Sequence, residues 1–377
     1  MTAKVFVKKA VRKAYRFSRK NTVMVIAAFA AFVTCFIIPL DKEYLSYIDF
    51  KTIACLFGVL AVVRALRNLR FFYKIASGIV KKFKTTRRAI IALVYITFIG
   101  SMLIANDMAL LTFLPLGYYV LRTTNQEKHM AFTFIMQNIA ANLGGMLTPF
   151  GNPQNLFLYT KFEIPTGEFM KIMAPPFIVA IVMITICCLF VKDEALEIVD
   201  DEIILPFGKT SIYLFLFALS IMMVFRGVSY FWGAVIIAVS IFFMDKYALK
   251  KVDYPLLLTF VFFFVFAGNM GRIDAIREFF GFLLEKNTLI VSTLSCQVIS
   301  NVPSAILLSQ FTDNYRELLW GVNIGGAGTL IASLASLITL REYTKRNKGK
   351  TKEYIIKFTG YNVLFVIVLT GAMLLIK

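Results

Sequence analysis

Long uninterrupted apolar stretches constrain the fold of this chain more than any other feature. Several of them, such as residues 22–40 and 355–376, have about the 20 residues that a helix needs to cross a bilayer. Lipid offers no hydrogen-bonding partner to an exposed backbone, so spanning segments must form helices or a closed barrel. Because the apolar runs are continuous and do not alternate, the sequence predicts an all-α polytopic membrane protein.

Charge supports this prediction and suggests an orientation. The chain carries a formal net charge of +19, although only 17% of its residues are charged. The basic residues cluster in the loops that fall inside if the N-terminus is cytoplasmic, such as 64–88, 246–251 and 341–352, as the positive-inside rule requires. No nucleic-acid-binding motif accompanies the charge, so a nucleic-acid partner is not expected. The five cysteines lie in apolar segments, and their spacing indicates neither a zinc site nor a disulfide framework.

The order of apolar segments predicts about nine crossings, two re-entrant hairpins and two discontinuous helices. Residues 89–121 contain two apolar halves, each too short to cross alone, around a polar tip, and residues 288–311 show the same pattern. The segments 130–159 and 317–340 carry glycines in mid-span, and Pro149 and Pro153 cannot both sit in one regular helix. The basic stretch 64–88 reads as a single interfacial amphipathic helix.

An internal repeat relates the two halves of the chain. Asn142-Leu-Gly-Gly-Met-Leu-Thr148 matches Asn323-Ile-Gly-Gly-Ala-Gly-Thr329 without a gap, and the Asp-Lys and Asp-aromatic pairs at 41–42 and 49–50 match those at 245–246 and 253–254. An odd number of crossings separates the copies, so the repeats are inverted. The predicted organisation is a basic cytoplasmic tail (1–21), a first repeat (22–192), a linker with a connecting span (193–227) and a second repeat (228–377).

Asp107 is the one acidic residue deep inside an apolar segment, where burying a carboxylate costs at least ~2.5 kcal/mol. It is expected to carry a proton or to bind a cation, with a helix cap as the alternative. Asn106 and Asn301 stand at the two hairpin tips and could cap the returning helices, whose free N–H groups form anion sites. The alternative for both is a turn-forming role alone.

The discontinuous helices supply the remaining candidates, because freed carbonyls, hydroxyls and amides bind substrate oxygens or a hard cation. The candidate substrate- and ion-binding residues are Asn106, Asp107, Thr148, Asn152, Asn155, Ser300, Asn301, Asn323, Thr329 and Ser333. The glycines expected to permit the helix breaks are Gly144, Gly145, Gly325, Gly326 and Gly328, with close helix packing as the alternative. No catalytic set of residues stands out, so the chain is not expected to be an enzyme.

Four segments resemble the ion transporter superfamily, which includes arsenite permeases, citrate and dicarboxylate transporters and some sodium/proton antiporters. They are Ala105-Asn-Asp-Met-Ala-Leu110, Thr148-Pro-Phe-Gly-Asn-Pro-Gln-Asn155, Ile299-Ser-Asn-Val-Pro303 and Asn323-Ile-Gly-Gly-Ala-Gly-Thr329. The resemblance implies an elevator mechanism, in which hairpins and broken helices form a mobile domain. The dicarboxylate branch has Ser-Asn-Thr at both tips, whereas the tips here are closer to those of the arsenite permease branch.

The sequence therefore predicts a secondary transporter of a small anion or oxyanion, coupled to H⁺ or Na⁺, with no other metal and no cofactor. The alternatives are a Na⁺/H⁺ antiporter without an organic substrate and, less favoured by the repeat, an ion channel. The expected partners are a small anionic solute, the coupling ion, the lipid bilayer and a second copy bound through scaffold helices. The expected location is the plasma membrane.

Overall fold

The computed structural model describes residues 17–18, 21–196 and 204–377. Their regular secondary structure is helical apart from one β-bridge between Thr85 and Ala195. Most of the predicted basic tail and the middle of the linker loop lie outside the described residues. The helices of the first half are α1 (Thr22–Ile37), α2 (Phe50–Asn68), α3 (Phe71–Val80), α4 (Thr86–Ile104), α5 (Asn106–Thr123), α6 (Met130–Gly144), α7 (Pro153–Lys161) and α8 (Thr166–Leu189). Those of the second half are α9 (Phe207–Val224), α10 (Tyr230–Met244), α11 (Lys246–Lys250), α12 (Tyr254–Gly271), α13 (Asp274–Ile299), α14 (Asn301–Leu308), α15 (Tyr315–Gly326), α16 (Leu334–Arg346) and α17 (Thr351–Ile376).

The four aspartates that the sequence pairs between the two halves all stand at the starts of helices. Asp49 accepts a hydrogen bond from the backbone N–H of Thr52 (2.9 Å), and Asp253 does the same for Leu256 (3.1 Å). Asp41 caps the 3₁₀ turn Lys42–Leu45, and Asp245 caps α11. Each carboxylate satisfies an N–H group that the helix itself leaves free.

Six helical segments in the described part of the chain are long and apolar enough to cross a membrane. They are Lys42–Asn68, Thr86–Ile104, Thr166–Leu189, Phe207–Val224, Tyr254–Gly271 and Thr351–Ile376. The other predicted crossings fall short of that length: α1 and α10 have 16 and 15 residues, and the two discontinuous helices are split in two. The chain is a multi-pass membrane protein, whereas the count of nine crossings stays a prediction.

Each hairpin packs against its own discontinuous helix. Helix α4 turns back into α5 and lies along α6, and the second half of α13 turns into α14 and lies along α15. The returning arms then cross over, since α5 contacts α16 and α14 contacts α7. The other apolar helices pair separately, α1 with α12 and α2 with both α9 and α10.

Two predicted boundaries were wrong. The basic stretch 64–88 is not one interfacial helix, because residues 64–68 complete α2, α3 covers Phe71–Val80 and α4 begins at Thr86. Arg67 stays inside α2 because its guanidinium donates to the backbone carbonyl of Leu111 in α5 (3.3 Å). The first helix of the first hairpin, α4, was also expected to be too short to cross the membrane. It has 19 residues and meets the length for a span.

The described end of the linker loop is tied to the base of the first hairpin. The backbone N–H of Thr86 donates to the carbonyl of Glu194 (2.8 Å), and the Glu194 carboxylate accepts hydrogen bonds from Lys128 (2.6 Å) and Gln126 (2.8 Å). These two donors lower the pKa of Glu194 from its usual value, with the Lys128 hydrogen bond as the larger cause.

Candidate functional site

The two hairpin tips have the same construction. Ala105 and Ser300 adopt positive φ angles of 65° and 76°, which non-glycine residues rarely do. The next residue in each tip, Asn106 or Asn301, donates its backbone N–H to a carbonyl in the opposing helix break, that of Gly151 (3.1 Å) or Ala332 (2.9 Å). Each hairpin is thus fastened to the broken helix of its own half.

Asn106 and Asn301 were expected as caps, but the cap position belongs to the preceding residue in both tips. Their side-chain oxygens instead accept the N–H of the next residue, Asp107 or Val302, at 2.9 Å in each tip. This bond satisfies one free N–H of the first turn, so the capping prediction is correct in effect and wrong in position.

A buried asparagine network connects the two halves. Asn106 donates to the side-chain oxygen of Asn142 (3.2 Å), and Asn152 donates to the backbone carbonyl of Asn142 (3.0 Å). Asn152 also donates to the side chain of Asn323 (3.1 Å), which donates in turn to Asn155 (2.6 Å). All five residues are at most 4% exposed, so these amides hydrogen-bond to one another where water has little access. Asn152 precedes Pro153 at the start of α7, as expected, but its side chain serves this network and makes no cap hydrogen bond.

The two break-loop threonines fasten the breaks to the hairpins. The Thr148 hydroxyl donates to the Met102 carbonyl (2.7 Å), and the Thr329 hydroxyl donates to the Gln297 carbonyl (3.3 Å). The two acceptors, Met102 and Gln297, lie near the end of the first helix of their hairpins, α4 and α13. Thr148 and Thr329 therefore hold the frame of the site and are not among the residues that line its cavity.

The glycines of the breaks serve close packing. A Cβ atom on Gly144 would lie 2.2 Å from the Phe98 carbonyl oxygen, and one on Gly326 would lie 2.7 Å from the side-chain nitrogen of Asn301. Gly145, Gly325 and Gly328 are equally enclosed, with a neighbouring atom 2.0 to 2.8 Å from the added carbon. Among the described glycines, positive φ occurs at Gly349 alone, so the packing interpretation fits all five positions.

A small cavity lies between the two tips, and we call it the tip cavity. Its lining includes Gln154 and five of the ten predicted residues. They are Asn106, Asp107, Ser300, Asn301 and Ser333. The opposite wall comes from α1 and α12, and the described lining holds no charged residue besides Asp107.

Three side-chain oxygens in the first hairpin tip and the first helix break are buried without a hydrogen-bond partner in the described structure. They belong to Asp107 (Oδ1), Asn152 (Oδ1) and Gln154 (Oε1). The amide nitrogens of Asn152 and Gln154 both donate to the side-chain oxygen of Asn323 (3.1 and 3.2 Å), which leaves their oxygens as the free ends. Asp107 makes no cap hydrogen bond, so the helix-cap alternative for this residue is wrong.

The comparison with known proteins decides the family. A family profile described as "Citrate transporter" matches residues 6–315, more than half of the chain. The chain belongs to the citrate transporter family. It is 37% identical over 300 residues to an uncharacterized transporter of Methanocaldococcus jannaschii, covering 79% of this chain and 82% of the relative. It is 29% identical over 318 residues to the inner membrane protein YbiR of Escherichia coli, covering 81% and 83% respectively.

A shorter match connects the chain to a putative transporter named arsB of Dictyostelium discoideum, with 26% identity over 155 residues, 40% of this chain and 27% of the relative. These relatives confirm the predicted resemblance to the ion transporter superfamily. The protein is accordingly a membrane transporter, and the tip cavity is its candidate site.

Three residues of this citrate transporter family member were missed as site candidates. Asn142 was visible as the repeat partner of Asn323, and Gln154 stands inside the Gly-Asn-Pro-Gln-Asn segment, so the motifs carried a signal for both. Gln297 accepts the backbone N–H of Thr329 (2.8 Å) and donates to the Gly325 carbonyl (2.9 Å). Nothing in its local sequence distinguishes it from a glutamine on a helix surface.

Proposed function

We propose that the protein is a secondary active transporter that carries a small anion or oxyanion, coupled to Na⁺ or H⁺. One observation carries the proposal: four helices begin at the tip cavity. Helices α5 and α14 start at the hairpin tips, α7 starts at Pro153 and α16 starts at Leu334, and their first residues line the cavity.

The beginning of a helix presents unpaired N–H groups and the positive end of the helix dipole. Four such positive ends around one cavity favour a negative ligand through the helix dipoles. The first two N–H groups of α5 and of α14 are already bonded within the tips, so in these two helices the dipole carries most of the attraction. Discontinuous helices that meet in this way near the middle of a membrane are typical of the binding sites of secondary transporters. The side chains of Ser300, Asn301 and Ser333 add hydroxyl and amide groups for the oxygens of a carboxylate or oxyanion.

The free oxygens support coupling to a cation. Asp107 adds negative charge to a cavity built for an anion, so an anion enters more favourably when a cation accompanies it. Gln154 offers a free oxygen in the same cavity lining as Asp107, and hard cations such as Na⁺ are bound by oxygen ligands. A proton on the Asp107 carboxylate would remove the same repulsion, so both coupling ions remain part of the proposal.

The matched contacts support inverted repeats and an elevator arrangement. The positive φ angles, the tip-to-break hydrogen bonds and the threonine anchors recur in both halves at corresponding positions. In this proposal α4–α7 and α13–α16 form the mobile domain, α1, α2, α9, α10 and α12 form the scaffold, and the N-terminus is cytoplasmic. The plasma-membrane location and the homodimer through the scaffold helices stay predictions.

The proposal is tested in proteoliposomes with labelled citrate, succinate, sulfate and arsenite under an imposed Na⁺ or pH gradient. We expect gradient-driven uptake of at least one of these solutes. Asp107→Asn should lower that uptake at least tenfold while exchange of labelled for unlabelled solute continues, because the anion groups remain and the coupling charge is gone.

Asp274→Asn, which removes an exposed carboxylate at the start of α13, should keep the driven uptake. Full gradient dependence in Asp107→Asn would contradict the coupling role of Asp107. The absence of uphill accumulation by the unmodified protein would contradict secondary active transport.

A Na⁺/H⁺ antiporter without a second solute is the other candidate, favoured by the free acceptor oxygens of Asp107 and Gln154 in the lining of the tip cavity. The same vesicles discriminate it when loaded with a pH-sensitive dye. Proton movement driven by Na⁺ with no anion present indicates antiport, whereas proton movement that requires an anion indicates the primary proposal.

A further inference from the structure

Helix α3 and the turn that follows it form an unusually basic surface. Residues 70–88 contain seven lysines and arginines and no acidic residue. We call this segment the first arm, because it joins α2 of the proposed scaffold to α4 of the first hairpin. It packs against both of these helices and against α5.

The first arm is amphipathic in its contacts. Ala76, Ser77 and Val80 are buried against the protein, whereas Ile75 and Ile79 on the other face are 48% and 40% exposed. Exposed isoleucines on a helix beside membrane spans are expected to enter the apolar edge of the bilayer.

The basic groups of this arm are available to a ligand. The side chains of Lys74, Lys82, Lys84 and Arg88 belong to exposed residues and make no ion pair within the described residues. Ammonium and guanidinium groups at this position next to apolar side chains lie at the depth of lipid headgroups.

The corresponding segment of the second half shows that the amphipathic shape does not require this charge. The first half of α13, from Asp274 to its non-helical residue Asn287, also exposes two large apolar residues, Phe279 and Phe282, each 57% exposed. Its charged residues are nevertheless mixed, three acidic and two basic, and Asp274 pairs with Arg277 (3.3 Å). The two arms therefore share a shape and differ in charge.

We propose that the first arm is a binding surface for anionic phospholipid headgroups of the phosphatidylglycerol type. The isoleucines place the helix at the membrane surface, and the unpaired basic residues attract the phosphate groups. The bound lipid would anchor the joint between α2 and the first hairpin. This inference rests on the proposed function only for the leaflet that supplies the lipid, which follows from the proposed cytoplasmic N-terminus. The binding surface itself is inferred from the residues of the arm.

The test measures lipid association directly and needs no transport. The full-length protein is reconstituted in vesicles of phosphatidylcholine and phosphatidylglycerol (about 7:3), and the relative association of spin-labelled forms of the two lipids is compared by electron paramagnetic resonance. The preference for phosphatidylglycerol should fall at least threefold in a triple variant, Lys74→Gln, Lys82→Gln and Lys84→Gln. The same three positions changed to arginine should retain the preference, which excludes loss of folding as the cause.

The matched control removes three exposed lysines from another basic loop, by Lys345→Gln, Lys348→Gln and Lys350→Gln. This control should change the preference by less than half as much as the arm variant. An equal loss in both variants would overturn the proposal, because it would show a general effect of positive charge. An unchanged preference in the arm variant would overturn it as well.

Discussion

At the scale of single residues, two side chains donate hydrogen bonds to backbone carbonyls of other helices that a proline leaves without their helical partner. A proline has no N–H, so the carbonyl four residues before it loses its helical partner. In α8, Pro176 frees the carbonyl of Ile172, and the Trp320 indole N–H donates to that oxygen at 2.6 Å. This contact joins α15 of the proposed mobile domain to α8.

The same relation explains the position of Arg67. Pro115 inside α5 frees the carbonyl of Leu111, which is the group that accepts the Arg67 hydrogen bond. An arginine near the end of an apolar helix is thereby satisfied inside the protein, so its position in the sequence did not mark the end of α2.

Trp320→Phe is expected to destabilise the protein by about 1–3 kcal/mol beyond the packing loss, because the buried Ile172 carbonyl is left unpaired. Pro176→Ala supplies an N–H for that carbonyl, so the same tryptophan change should cost less in the Pro176→Ala background. Denaturation of the four proteins in detergent gives a double-mutant cycle, and we expect a coupling energy of about 1 kcal/mol or more. Additive effects would contradict this account of the hydrogen bond.

At the scale of elements, the hairpin tip holds a residue in a strained conformation. Ala105 has φ 65° and ψ 149°, a region that is essentially restricted to glycine and costs a residue with a Cβ about 1–3 kcal/mol. The hydrogen bond from the Asn106 backbone N–H to the Gly151 carbonyl and the packing of α4 against α5 maintain this turn.

Ala105→Gly should stabilise the protein by about 1 kcal/mol, because relief of the strain exceeds the added flexibility of glycine in the unfolded chain. A rise in the thermal unfolding midpoint in detergent would show it. The control is Ala109→Gly, four residues later, inside α5 and fully buried, which should lower the midpoint because glycine weakens a helix interior. A lower midpoint for Ala105→Gly would show that the tip stores no strain.

Several elements could be predicted because polar residues are costly in apolar segments. Asn106, Asp107 and the Gly-Asn-Pro-Gln-Asn segment interrupt long apolar runs, so the sequence alone predicts the tip and the break. The prolines of α8 carried the opposite signal, since Pro175 and Pro176 suggest a break in a helix that in fact continues. One contact that stabilises α8 is the hydrogen bond from Trp320, which lies more than a hundred residues away in sequence. No local sequence pattern reveals such a contact.

At the scale of the whole molecule, the tip cavity lies near one end of the proposed scaffold. Its outer wall contains Val23 at the start of α1 and Leu256 at the start of α12. These two helices run parallel, because Thr34 and Asn269 near their far ends are joined by a hydrogen bond (3.1 Å). The tips therefore lie toward the side from which α1 and α12 enter the membrane.

A second space opens at the other end of these helices. It is lined by Asp49 and Lys51 at the start of α2, by Lys161 at the end of α7 and by Gly268 near the end of α12. Ser46 also lines it and is exposed. If the N-terminus is cytoplasmic, the tip cavity is on the cytoplasmic side and this second space is external, which corresponds to the inward-facing state of the proposed elevator.

The position of the tips predicts unequal access from the two sides of the membrane. In a variant with its five native cysteines replaced, Val302→Cys at the second tip should react with an impermeant maleimide at least fivefold faster in inside-out than in right-side-out vesicles. Ser46→Cys should show the reverse order, because it lines the external space. Labelling of both cysteines from the outside would contradict the inward-facing state, whereas a full exchange of the two patterns would mean that the chain is inserted with its N-terminus outside.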